Sequence, residues 1–249
     1  MSNVRFLYGF KFDTGTISSS SEVAGLPDDN AVNEFVAKKW RTTGDTGQWI
    51  KFDLETAKKV TMLAIFGHNL SSAAVVTIEG NDTDVWTTPA YSQVLTWNAL
   101  CLVEFFDKTY RWWRITIEDG SNTDGYIEIG RICAGEYYEP TVNIAENLGI
   151  IITDPSTVEE ADGGQGWSVE KLKFRTYTVK FMDISRAQQA EIRTMFNAVG
   201  NTRTLVFALD PVNYPEEDTI YCKMKSSLSH ALGMLGYGNV SLNFEEKVG

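Results

Sequence analysis

The chain has 249 residues, 43% hydrophobic and 22% charged, a globular composition long enough for two domains of about 100–150 residues. Lys and Arg number 22 against 33 Asp and Glu, and the net charge of −11 argues against a protein that grips nucleic-acid phosphates or an anionic membrane surface. No apolar run approaches the ~20 residues of a membrane span, and three Cys with two His leave little for zinc, thiol or histidine chemistry.

Met1 to Phe10 carries one arginine and no apolar stretch of signal-peptide type. Within it and just beyond, Phe6, Tyr8, Phe10 and Phe12 alternate, which predicts a strand with four rings on one face; residues 1–21 read as an N-terminal strand or arm. From 22 to 136 the pattern is one of short strands divided by turn clusters. Gln48–Leu54 alternates, with Ile50, Phe52 and Leu54 on one face. Lys59–Gly67 is continuously apolar, as a strand covered on both faces would be. Ala73–Glu79, Leu102–Phe106, Arg111–Glu118 and Gly125–Ala134 follow, with turns at Asn81-Asp82, at 119–122 and at Asp124-Gly125. Many short strands with regular turn signals predict a β-sandwich or barrel.

Glu136–Pro140 reads as a linker into a second domain, 137–249. Residues 154–166 are acidic, glycine-rich and nearly free of large apolar side chains, which predicts a long mobile loop that a partner orders. Lys171–Met182 alternates, with a slip between Phe174 and Tyr177 that suggests a bulge. Residues 185–199 form the one convincing helix: Ser185 and Gln188 have capping-box spacing, and Gly200 supplies the stop. Arg203–Leu209, Ile220–Lys225 and Asn239–Glu246 read as strands. The fold class expected is mainly β, a sandwich followed by a smaller β unit with one flanking helix.

Nucleophile and phosphate-loop motifs are absent. Asp210, Glu216, Glu217 and Asp218 cluster, but two prolines and the lack of apolar neighbours favour an acidic surface loop over a carboxylate pair for glycan hydrolysis, so no enzyme is expected. Cys101 and Cys133 lie in apolar runs and read as buried thiols. Seven Trp are the richer resource, since flat rings stack on the apolar faces of sugars. Trp86, Tyr91 and Trp97, between two strands, are the best-placed rings for a carbohydrate, with Asn69 at a strand end beside His68. Packing into a core competes with that role at each of them, and more so at Trp40, Trp49, Trp112 and Trp113.

Trp40-Arg41, the run Trp49 to Leu54, the strand end Phe66-Gly67-His68-Asn69-Leu70, Tyr110 to Ile115 and Tyr126 to Ile132, in this order, resemble the discoidin-like, galactose-binding-type β-sandwich. The version they resemble in particular is that of structural proteins of tailed bacteriophages. The order of elements after residue 137 is similar to the split β-barrel with flanking helix of tail-tube and distal tail proteins. This resemblance implies a subunit of a tail tip or baseplate, assembled in the host cytoplasm and located in the virion tail. Its implied partners are further copies in a homo-oligomeric ring, other tail proteins and host surface polysaccharide. It implies assembly roles for Phe6, Tyr8 and Phe10 on the N-terminal strand, and for Asp154, Glu159, Glu160 and Asp162 in the acidic loop. A carbohydrate-binding accessory module is the alternative, with a glycan-degrading enzyme last. No cofactor is expected; a structural calcium at an acidic turn such as Asn81-Asp82 stays open.

Overall fold

A computed structural model describes residues 3–145, 148–225, 228–232 and 236–248, with the backbone alone for 229–232. The protein is mainly β. In chain order the strands are β1 (Arg5–Phe10), β2 (Thr16–Ser19), β3 (Trp40–Arg41), β4 (Gln48–Phe66), β5 (Val75–Asn81), β6 (Tyr91–Val94), β7 (Cys101–Glu118), β8 (Glu128–Ile129), β9 (Arg131–Tyr138), β10 (Gly149–Thr153), β11 (Thr157–Glu160), β12 (Gly166–Val169) and β13 (Phe174–Ser185). Helix α1 (Arg186–Val199) precedes β14 (Thr204–Ala208), β15 (Thr219–Met224), β16 (Ser229–Leu232) and β17 (Tyr237–Glu246). The chain forms two compact units, and unit 1 is discontinuous: it takes Met1–Pro140 and Leu205–Ile220, while unit 2 takes Thr141–Thr204 and Tyr221–Gly249.

In unit 1 the strand order is β14-β1-β9-β4-β7-β5-β6, with β2 on the open side of β4. Two of its strands are longer than the sequence suggests. The runs expected at Gln48–Leu54 and Lys59–Gly67 are one strand, β4, bent where Glu55 takes φ 64° and the pairing with β7 slips between Asp53 and Lys58. Leu102–Phe106 and Arg111–Glu118 likewise join into β7. Both halves of β4 feed one core: Ile50, Phe52 and Leu54 from the first and Leu63 and Ile65 from the second meet Trp113, Ile115, Ile117, Ile132 and Trp40. The sheet is therefore folded over its own apolar face, as a sandwich requires. The aromatic N-terminal strand closes this unit and is no separate arm. Phe6 pairs with Phe207 of β14 and Tyr138 of β9, and its ring stacks on both. Leu7 on the opposite face is equally buried, and Phe12 leaves the strand in a 3-10 turn to stack on Phe52. The four rings do not share one face, because the register slips between Leu7 and Phe10. The linker read at Glu136–Pro140 is largely strand, since β9 runs to Tyr138.

In unit 2 the order is β10-β13-β17-β15, with β16 on β17. Tyr177, Val179 and Phe181 of β13 and Val240, Leu242 and Phe244 of β17 alternate inward. The buried side of α1, Ile192, Met195 and Val199, faces β13 and β17. Ser185 Oγ accepts the Gln188 N–H, and Gly200 (φ 54°) ends the helix as its sequence predicts. The irregularity in β13 falls between Phe181 and Ile184, at Asp183 (φ 53°), and not between Phe174 and Tyr177. The acidic segment expected as a mobile loop is mostly a hairpin: Thr157 pairs with Val169, Val158 with Ser168, Glu159 with Trp167 and Glu160 with Gly166. Its side chains are exposed throughout, so the backbone ladder and the tight turn at Gly164 (φ 76°) hold it without a core.

Candidate functional site

Alternation along β4, β7 and β5 places every second side chain on the outer face of unit 1. Opposite the buried Ile50, Phe52 and Leu54 stand Trp49, Lys51 and Asp53; opposite Trp113, Ile115 and Ile117 stand Trp112, Arg114 and Thr116; opposite Val76 and Ile78 stand Thr77 and Glu79. Cross-strand register then builds rows: Trp49 with Thr116 and Thr77, Lys51 with Arg114 and Glu79, Asp53 with Trp112 and Asn81. The Trp86 loop leans over the same face.

The charges on this face are paired. Arg111 donates through Nε and Nη2 to both Asp53 oxygens at 2.7 Å, a planar two-point fork. Arg114 donates to Glu79 at 2.7 Å, and Lys51 to Asp84 at 2.6 Å. Trp86 Nε1 donates to Asp84 at 2.6 Å. These cations also hold the rings: the Arg114 guanidinium lies 4.6 Å from the Trp86 ring centre, Lys51 Nζ 5.5 Å from those of Trp49 and Trp112, and Arg111 5.4 Å from that of Trp112. The Arg111 hydrogen bonds hold the Asp53 carboxyl below the usual carboxylate range against partial burial. At Asp84, burial pushes the carboxyl up, and the Lys51 and Trp86 donors overrule it to leave it low. The three indoles are half-buried, each with at least one cationic side chain over its ring. The result is a platform, electrically balanced, with Trp49 and Trp112 flanking Lys51, each ring centre 5.5 Å from its Nζ.

Of the rings singled out from sequence, only Trp86 belongs to this platform. Tyr91 packs against Phe106 (5.3 Å) and Trp113 (6.3 Å), and burial pushes its phenol up to about 12. Trp97 rests on the core and donates Nε1 to the Leu70 carbonyl at 3.1 Å. Asn69 is consumed by its own surroundings: Nδ2 donates to Asp124 and to the Tyr126 carbonyl, and Oδ1 accepts the Glu128 N–H at 2.7 Å. That network ties the Gly67–Leu70 turn to buried Asp119 and Asn122, so Asn69 fixes a strand end. Packing is the stronger of the two readings for Trp49 and Trp112 from sequence; the signal that finds them is their position opposite the apolar set in two alternating strands. Trp40 and Trp113 are fully buried, as their packing reading has it.

The residues expected in assembly are spread out. Phe6 is sealed inside unit 1, whereas Tyr8 and Phe10 are half-buried, with the Arg131 guanidinium 4.7 Å from the Phe10 ring. Asp154, Glu159, Glu160 and Asp162 are exposed on and beside the β11–β12 hairpin. Asp210 is not a surface acid: 7% exposed, it accepts from Asn213 and the Val212 N–H to shape a turn. All three cysteines are buried, and none is in a disulfide. Among the described residues no group of three His, Cys, Asp or Glu is placed to hold a metal ion. No helix of the described residues is long and apolar enough to cross a membrane.

No family model and no curated protein matches the chain. Among solved structures it is similar to the family 32 CBM from C. perfringens NanJ in complex with galactose (19% identity over 54% of this chain and 99% of that one, TM-score 0.43). It is also similar to chitosan-binding module 1 of a chitosanase/glucanase from Paenibacillus sp. IK-5 (16%, 51% and 99%, TM-score 0.40) and to a Streptococcus pneumoniae fucose binding module, SpX-3 (15%, 52% and 99%, TM-score 0.43).

Proposed function

We propose that unit 1 is a non-catalytic glycan-binding module and that the outer face of β4, β7 and β5 is its binding surface. The observation that carries this is the set of three half-buried indoles, Trp49, Trp86 and Trp112, held in place by paired charges. Flat rings take up the C–H faces of sugars, and the fixed carboxylates and guanidiniums between them accept and donate to hydroxyls. Fixing the rings before binding removes the entropy of ordering them. The face carries Lys51, Arg111 and Arg114 against Asp53, Glu79 and Asp84, so it offers no surplus charge, and the chain as a whole is acidic. Both facts favour a neutral saccharide over an anionic one. The test is a panel of neutral and anionic bacterial surface polysaccharides against wild type and Trp49→Ala, Trp86→Ala and Trp112→Ala. Each truncation is expected to weaken neutral-glycan binding by roughly 3–10-fold without lowering the melting temperature. Binding that survives the triple variant, or a panel with no binder, would sink the reading.

A second reading is favoured by the β11–β12 hairpin of unit 2: this is the structural subunit of a tailed-phage tail tip or baseplate, in a ring with its copies. A two-stranded hairpin is marginal by itself in water, and this one exposes Val158 (77%), Trp167 (53%) and Val169 (54%). Such an arm fits burial against another protein, with Asp154, Glu159, Glu160 and Asp162 at its polar margin. Gold-labelled antibody to this chain should decorate virion tails; particles without label at the tail would overturn this reading. The two readings are compatible, since a tail subunit can carry an adsorption module.

A further inference from the structure

The sheet of unit 2 ends on β10. Gly149 to Thr153 pairs with β13 along one side, from Gly149 opposite Thr178 to Thr153 opposite Phe174. Along its other side no strand pairs with it among the described residues. An edge of this kind is ordinarily guarded by a lysine, a proline, a bulge or an inward charge. Here the strand is Gly-Ile-Ile-Ile-Thr, uncharged and β-branched, and its pairing with β13 is unbroken. Ile150, Ile151 and Ile152 are 47%, 61% and 69% exposed, so both faces of the strand hold apolar side chains in water. Backbone donors and acceptors on the open side and isoleucines above and below them are what an added strand would cover.

We propose that this edge pairs antiparallel with β10 of a second copy of the chain, about a two-fold axis at Ile151, so that two unit 2 sheets become one. The segment fits itself. About that axis Ile151 meets Ile151 of the other copy, Ile150 meets Ile152, and Gly149 meets Thr153, giving β-branched cross-strand pairs on both faces. Asp154, the nearest charge, falls opposite Leu148, so no like charges meet although each chain carries −11. A partner recognised through charge would find none in the strand. A two-fold contact uses the same patch on both copies and closes on itself, which makes it distinct from any ring contact. The inference stands apart from the glycan reading, because it involves no residue of unit 1.

The experiment uses the full chain. Wild type is expected to show a concentration-dependent monomer–dimer equilibrium in sedimentation velocity. Ile151→Lys sets two ammonium groups together at the axis and is expected to raise the dissociation constant at least about tenfold. Circular dichroism melts check that this exposed site tolerates the change. Single cysteines then read the register: across an antiparallel pair the axial residue lies within disulfide reach of its own copy. Because the three native thiols are buried, oxidised Ile151→Cys is expected to give a covalent dimer that Ile150→Cys and Ile152→Cys do not. A wild type that stays monomeric, an Ile151→Lys variant that dimerises as well as wild type, or equal crosslinking at all three positions would overturn the proposal.

Discussion

Asp53 sits on the platform with its two oxygens on Arg111, its Oδ1 also accepting the Glu55 N–H at 2.8 Å. Arg111 holds its carboxyl low, as Asn213 does for Asp210. For both, the folded pKa lies below the unfolded value of 3.8, so the stabilisation is full above that value and is lost as pH falls through the folded one. Asp53→Asn should therefore lower the urea midpoint at about pH 6 and lie much nearer wild type at about pH 3. A gap that does not narrow would show that the ionised carboxylate is not what stabilises the fold there. The same residues show what a single sequence reveals. Trp49-Ile50-Lys51-Phe52-Asp53-Leu54 states by alternation alone that Trp49, Lys51 and Asp53 share a face. It does not state that Asp84 and Trp86, thirty residues on, return to that face, because loop position leaves no periodic trace. Tyr91, Trp97 and Asn69 looked available for the converse reason: a ring in a turn-rich stretch carries no mark of the core it rests on.

Helix α1 was legible almost to the residue, since capping and stop signals are local. Its cap nonetheless works in an unexpected way. Gln188, three residues after Ser185, does not reach back to the cap N–H; its Oε1 accepts from Thr141 Oγ1 (2.8 Å) and the Val142 N–H (2.9 Å), and its Nε2 donates to the Val142 carbonyl (2.8 Å). It is 1% exposed, although its partner Val142 is 43% exposed. Ser185→Ala is expected to cost about 1 kcal/mol, and Gln188→Ala about 2–3 kcal/mol because it removes three hydrogen bonds at once from a buried side chain. Urea unfolding followed through the helix signal distinguishes the two; equal losses would show that the bonds of Gln188 to Thr141 and Val142 add nothing beyond the cap. Strands were less legible than the helix. The stretch between Leu54 and Lys59 reads as a break, yet β4 continues through it, because the positive φ at Glu55 bends the backbone and pairing with Tyr110 and Thr109 resumes. The hairpin of β11 and β12 was missed for the opposite reason: acidic, glycine-rich residues suggest loop, and only the backbone ladder makes it a strand pair.

At the scale of the molecule the division into two β-rich parts could be read from composition shifts, but the return of residues 205–220 to unit 1 could not. Nothing in Leu205-Val206-Phe207-Ala208 announces that its partner is Arg5-Phe6-Leu7, two hundred residues earlier. That pairing makes unit 1 dependent on a segment that the ribosome delivers late. In a fragment ending at residue 140, β1 would have one edge open, Phe6 would lose the Phe207 ring 5.2 Å away, and Cys101 Sγ would lose the Glu216 carbonyl. The packing around Phe6 alone is worth about 3–5 kcal/mol by comparison with Phe→Ala changes in other cores. The fragment 1–140 is therefore expected to melt well below the full chain and to bind a dye for exposed apolar surface. Its Phe6 and Leu7 amides should exchange with solvent far faster than in the full chain. If those amides are as protected in the fragment as in the full chain, β14 is dispensable, and residues 1–140 suffice to make unit 1.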